Sequence, residues 1–187
     1  MIQTDLQLQQ DLDPLSNRDS LTGIASRHLF DAIYQAEWAR ACAQGEPLSL
    51  IFIDVDYFKQ YNNYYGHVQG DQCLQRIAAT FAQAAERPRD LCARFGGEVF
   101  ALVLPATDAQ AAGDIARRCR QLLACEQLPH ARSDLGGVIT ASMGVGTILP
   151  GADDSLGRFL DLVDRRLYRA KAEGRDRIFD GAAPARA

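Results

Sequence analysis

The period of the apolar residues changes several times along this chain, and each change predicts an element. Between Ser26 and Gly45, the residues Leu29, Phe30, Ile33, Tyr34, Glu37, Trp38 and Ala41 fall at helical spacing, with Ser26 suited to cap the start and Gly45 to stop the end. The run Leu48-Ser-Leu-Ile-Phe-Ile-Asp-Val is almost continuously apolar, as a strand covered on both faces requires. A short helical piece follows near Tyr57 to Asn63. A second helix, from about Gly70, carries Leu74, Ile77, Ala78 and Phe81 on one face and ends before Pro88. Leu91 to Phe95 and Glu98 to Leu104 read as strands joined through Gly96-Gly97, a hairpin signal. Asp108 is placed to cap a helix bearing Ile115, Cys119 and Leu122. Val138 to Ile148 then reads as a strand, Ser155 to Ala172 as a helix, and Arg177 to Phe179 as a last short strand. This order predicts an α+β sandwich with helices packed on a mostly antiparallel central sheet, related to the ferredoxin-like arrangement.

The ends read differently. Residues 1–14 scatter Ile2, Leu6, Leu8 and Leu12 among glutamines, which fits a linker or the end of a connecting helix. Residues 181–187, GAAPARA, read as a disordered tail, leaving 15–180 as the domain.

Composition narrows the function classes. At 187 residues the chain holds one domain with a sizeable core and hardly two. With 20 Lys and Arg against 24 Asp and Glu, the net charge of −4 argues against a nucleic-acid polymer as partner. No apolar run approaches the ~20 residues that cross a bilayer. The N-terminal MIQTDLQLQQDLD is polar and acidic, unlike a signal or transit peptide. The 5 cysteines form no C-x-x-C pair and sit mostly in apolar segments, as reduced thiols in a cytoplasmic protein do. None lies at zinc-ligand spacing from a histidine.

Two places carry chemistry. The apolar strand delivers Asp54 and Asp56 at its end, where a carboxylate loses hydration and needs a partner; that partner is either a cation or, if one of the two caps the next helix, a backbone N–H. Gly96 and Gly97 form a turn whose backbone N–H groups can approach a ligand closely, and Glu98 follows them, opening an apolar strand. A carboxylate there, with a second one at the end of another strand, is what a Mg²⁺-nucleotide site asks for, the remaining ligands being phosphate and water.

Four segments together resemble the GGDEF domain of the diguanylate cyclase family: GGEVF at 96–100, DVDYFKQYNNYYGHVQGD at 54–71, YRAKAEGRDR at 168–177 and RDSLTGIASRHLF at 18–30. The resemblance spans roughly residues 15–180 in order and spacing. It implies a fold of the nucleotidyl-cyclase and polymerase-palm kind, and the joining of two GTP molecules into cyclic di-GMP and pyrophosphate across a homodimer with one GTP per domain. It implies that Asp54, the Val55 carbonyl and Glu98 hold Mg²⁺ or Mn²⁺, with Glu98 also activating the 3′-hydroxyl. Asn62, His67 and Asp71 match the residues around guanine and ribose. Tyr57, Phe58 and Lys59, with Gly96 and Gly97, match the turns against the phosphates, and Lys171 and Arg175 match further phosphate contacts. Arg87 and Asp90, with Arg94, match a product-inhibition site, Arg87 lying nine positions before Gly96.

Plainer readings stand beside these. Lys171 and Arg175 near a helix end favour the macrodipole anyway, His67 fits an ordinary turn, the tyrosines at 57–65 fit packing, and Arg87 to Asp90 fits a solvated charged turn. The chain also departs from the family pattern: Val99 stands where a second Glu is usual, Asn63 where Asp follows the guanine-reading Asn, and Ser26 where Asn is usual. Two functions therefore remain open: a Mg²⁺-dependent cyclase, or a catalytically weak or silent receptor or dimerisation module that binds GTP or cyclic di-GMP. Nothing in the chain indicates an input signal.

Overall fold

The computed structural model describes residues 16–181; the readings of residues 1–14 and of the tail beyond Gly181 lie outside them. Ser26 accepts the Leu29 N–H at 3.2 Å and opens α1 (Arg27–Gln44), and Gly45, left-handed at φ 64°, closes it. β1 (Leu48–Val55) is followed by α2 (Phe58–Tyr65) and α3 (His67–Ala82), then by β2 (Leu91–Gly96) and β3 (Val99–Pro105). α4 (Ala109–Cys125), β4 (Ala141–Ile148), α5 (Leu156–Ala172) and β5 (Ile178–Phe179) complete the order. The sheet runs β2-β3-β1-β4-β5, antiparallel throughout except for the parallel β4–β5 pair. The expected α+β sandwich is the one observed.

β1 lies at the centre because both of its faces are apolar. Ile51, Ile53 and Val55 pack with α2, α3 and α4, while Leu48, Leu50 and Phe52 pack with α1 and α5. Each such side chain contributes about 1.5–3 kcal/mol on burial, so this strand is the best-held part of the sheet. α5 crosses β4 very closely: a Cβ on Gly144 would meet the Leu167 nitrogen at 2.4 Å and the Val163 oxygen at 2.5 Å. Glycine there sets how deep α5 lies, and with it the position of Lys171.

Three boundaries differ from the sequence expectation. α3 begins at His67 rather than near Gly70, because Gly66 at φ 86° lets a new helix start directly after α2. β4 begins at Ala141 rather than Val138, which forms an isolated bridge with Pro129. Glu98 belongs to the hairpin turn rather than to β3, since a register shift between Arg94 and Gly96 carries β2 through to Gly96.

Candidate active site

β1 leaves the middle of the sheet with Asp54, Val55 and Asp56 in succession. Its neighbours run the opposite way, so their beginnings flank its end. Asp54 stands opposite both Val99 of β3 and Ser142 of β4. The Val55 N–H donates to the Glu98 carbonyl at 3.2 Å, which fixes Glu98 beside the strand end.

Lys171, in the last turn of α5, reaches into this group. Its ammonium lies 2.9 Å from Asp54 Oδ1, 3.3 Å from Asp56 Oδ1 and 3.4 Å from the Val55 carbonyl. Burial raises the Asp54 carboxyl above its ordinary value; Lys171 draws it down, and Glu98 and Asp56 push it up again. A partly desolvated carboxylate with two carboxylate neighbours calls for positive charge. Lys171 supplies one such charge, at a point already ringed by carboxylate and carbonyl oxygens.

Asp56 does something the sequence did not disclose. It does not cap the next helix, and neither does Asp54: the cap position of α2 is Tyr57, with no side-chain hydrogen bond. Instead Asp56, with a fully buried side chain, accepts from Ser142 Oγ at 2.7 Å and Thr140 Oγ1 at 2.8 Å, and from the Asp176 N–H at 3.0 Å. It thereby ties β1 to β4 and to the turn after α5. That turn holds Arg175 and Asp176 at φ 65° and 44°, a left-handed pair that persists only when its surroundings hold it. Arg175 in turn lies over the Tyr57 ring, 4.7 Å from its centroid. The signal for this network was the polar pair Thr140 and Ser142 at the head of an apolar strand.

The other side of the site is α2 and the start of α3. Tyr57, at φ 54° and ψ 33°, turns the chain into α2, whose first N–H groups have no helical acceptor. Lys59 is exposed on that first turn. Asn62 Oδ1 is buried without a hydrogen-bond partner, and it lies against Gly70, where a Cβ would stand 1.8 Å from it. An orphaned acceptor of this kind costs about 1–3 kcal/mol until a donor reaches it. His67 and Asp71 are exposed near the start of α3. At the hairpin tip Gly97 has φ 39°, and the Arg94 Nε donates to its carbonyl at 2.9 Å.

This arrangement gathers hard oxygen donors on one side and amide and ammonium donors on the other. Residues 16–177 match the family described as diguanylate cyclase, GGDEF domain. The chain belongs to the GGDEF family. This GGDEF domain is 35% identical over 172 residues to a diguanylate cyclase of Vibrio cholerae, covering 92% of this chain and 52% of that protein. It is 32% identical over 171 residues to the diguanylate cyclase DgcM of Escherichia coli, covering 91% of this chain and 40% of that protein. The chain thus spans 52% and 40% of the length of these curated relatives. The coiled coil and GGDEF domain of DgcB from Caulobacter crescentus, solved in complex with c-di-GMP, matches with a TM-score of 0.79 at 28% identity, covering 95% of this chain and 91% of that one.

The remaining expected residues lie elsewhere on the GGDEF domain. Arg87 and Asp90 face each other just before β2: the Arg87 guanidinium donates to both Asp90 oxygens at 2.9 and 3.2 Å, to the Pro105 carbonyl at 3.1 Å and to the Thr107 hydroxyl. Asp90 is nearly buried, Arg87 half exposed, and a cavity of about 200 Å³ opens between them and Pro105. Arg94 is not brought to this pair. It sits at the far end of β2, joined to Gly97 and, at 3.3 Å, to Asp19. Among the described residues no helix is long and apolar enough to cross a membrane.

Proposed function

We propose that this GGDEF domain condenses two GTP molecules into cyclic di-GMP, with each of two copies presenting one GTP to the other. The observation that carries the reading is the convergence of Asp54, the Val55 carbonyl and the Glu98 turn at the end of β1, with the Lys171 ammonium among their oxygens. Among the described residues no group of three or more Asp, Glu, His or Cys side chains forms a ready metal cluster. Asp54, Glu98 and the Val55 carbonyl are nevertheless the hard oxygen donors that Mg²⁺ or Mn²⁺ accepts when phosphate and water complete its shell. Bound there, a divalent ion supplies charge neutralisation to the triphosphate.

The chain's own groups do the rest. Lys171 and Arg175 face the phosphates with fixed charge, and the N–H groups of the Tyr57–Lys59 turn donate to them. Asn62 and Asp71 receive guanine, whose N1 and N2 donors suit their oxygens, Asn62 Oδ1 being an acceptor that lacks a partner. Glu98 draws the proton from the 3′-hydroxyl. The freed oxygen forms a bond to the α-phosphorus of the GTP on the other copy, and pyrophosphate leaves with the electron pair of the broken P–O bond. Two such transfers close the ring. The cavity at Arg87 and Asp90 admits part of the product, with Arg87 for phosphate and Asp90 for guanine donors, and the pair supports feedback inhibition.

Val99 favours a second reading, a receptor that binds nucleotide without turnover. Incubation with GTP and Mg²⁺ followed by nucleotide chromatography separates the two. Cyclic di-GMP from the parent and none from Glu98→Ala is the expected result; no product at any Mg²⁺ or Mn²⁺ concentration leaves the receptor.

A further inference from the structure

A buried histidine outside the four motifs holds the turn at which the triphosphate is expected. His130 lies in the connection from α4 to β4 and has no solvent exposure. Its Nε2 is 2.9 Å from the Tyr57 carbonyl oxygen, and its Nδ1 is 3.3 Å from the Arg132 backbone nitrogen. A carbonyl only accepts and a backbone N–H only donates, so the ring carries its proton on Nε2. The imidazole is itself fixed. Its backbone N–H donates to the Gly137 carbonyl at 2.8 Å, its carbonyl accepts the Ser133 N–H at 3.1 Å, and its ring meets Tyr61 edge to face at 5.2 Å.

Tyr57 is the residue in need of such support. It is left-handed, and no side chain caps the helix it opens. Its carbonyl accepts the Tyr61 N–H at 3.0 Å as well as the His130 ring. The peptide that follows is planar and trans, so the Phe58 N–H points opposite to the Tyr57 carbonyl. Whatever fixes the carbonyl therefore aims that N–H, the first donor of the phosphate turn. The same connection grips α2 twice more: the Ala131 N–H donates to the Tyr65 hydroxyl at 2.9 Å, and the Arg132 guanidinium lies 5.1 Å from the Tyr64 ring centroid.

We propose that His130 is a positioning residue for the triphosphate, acting through the Tyr57–Phe58 peptide without touching the nucleotide. The inference rests on the reading of Tyr57 to Lys59 as the phosphate turn. A phenyl ring in place of the imidazole fills nearly the same space and keeps an edge contact with Tyr61, but it leaves the carbonyl held by the Tyr61 N–H alone. A glutamine amide restores a donor.

Calorimetry with excess Mg²⁺ tests this, using 3′-deoxy-GTP, which lacks the attacking hydroxyl, and GMP. His130→Phe is expected to weaken 3′-deoxy-GTP about tenfold and GMP less than about twofold, with His130→Gln recovering most of the loss. Equal losses for the two ligands, no loss for either, or a glutamine variant that behaves like the phenylalanine one overturns the assignment. If the parent prefers the triphosphate and His130→Phe keeps that preference, His130 alone is refuted. If the parent binds both ligands equally, the phosphate-turn reading fails and takes this inference with it. Should His130→Phe not fold, nitrogen NMR of the parent imidazole decides. An Nε2–H signal that moves with 3′-deoxy-GTP and not with GMP supports the role, and an Nδ1–H ring or an unresponsive one refutes it.

Discussion

Restoring a carboxylate at Val99 should move stability and metal affinity in opposite directions. Asp54 and Val99 are directly paired across β1 and β3, so their side chains leave the same face with Cβ atoms about 5 Å apart. Two carboxylates at about 5 Å repel by about 3 kcal/mol at an effective dielectric constant of about 20. The Lys171 ammonium, 2.9 Å from Asp54, offsets part of that. Water offsets more, because the Asp54 side chain is 23% exposed. A net penalty of about 1 kcal/mol remains, which lowers Tm by about 2–4 °C for a domain of this size. With Mg²⁺ the same charge becomes attractive, and about 1 kcal/mol corresponds to about fivefold tighter metal binding. Thermal unfolding of Val99→Glu in chelator and in saturating Mg²⁺ measures the first effect, and calorimetric titration of Mg²⁺ the second. Cyclic di-GMP formation at low Mg²⁺ should rise alongside. A Tm unchanged in chelator together with an unchanged Mg²⁺ affinity would refute the reasoning, because the added charge would then not face Asp54.

Three other substitutions test neighbouring parts. Gly70→Ala should weaken GTP binding about tenfold or more by displacing Asn62, whose Oδ1 a new Cβ would meet at 1.8 Å; competition with ATP checks that selectivity for guanine falls too. Arg87→Ala should relieve inhibition by added cyclic di-GMP in a turnover assay, and it should lower Tm by a few degrees because nearly buried Asp90 loses its guanidinium. Asp54→Asn should abolish product yet raise Tm in chelator at pH 7, since burial raises the folded-state carboxyl pKa and so penalises its charge. That gain should shrink as the pH falls through the raised folded-state value and vanish below about 3.9, the ordinary Asp value, where the parent carboxyl becomes neutral in the unfolded state too; a gain that grows on acidification would show the sign to be wrong.

Most of the fold was legible because its elements announce themselves by period. β1 is apolar on both faces, and α1 carries a Ser cap and a Gly stop at the right spacing. The start of α3 was not legible, because His-Val-Gln carries no apolar stripe: Val68 is 77% exposed. In the candidate site, Asp54 and Glu98 stand out as carboxylates at apolar strand ends, whereas the tasks of Asp56 and His130 do not. Asp56 takes its partners from 84 to 120 residues away, and His130 reaches across 73. Thr140 and Ser142 mark polar positions at the head of an apolar strand, but no local pattern says which distant residue they meet. Arg94 shows the converse: its place in the chain suggests the product site, and its place in space is the hairpin tip.

The central position of β1 also dictates when the site can exist during folding. Each group that completes it arrives through a long loop closure: Ser142 lies 86 residues from Asp56, Lys171 115 and the Asp176 amide 120. Closures over such separations come late, since local helices gain their contacts first and distant strand pairs must wait for the entropy of closure to be overcome. A chain that has formed α1 to α3 and the β2–β3 hairpin has Asn62 and Asp71 on their helices but no anchored Asp56 and no Lys171 beside Asp54. Nucleotide and metal bound as proposed would therefore select only the fully native chain, and their stabilisation would fall on the global unfolding transition rather than on any local opening.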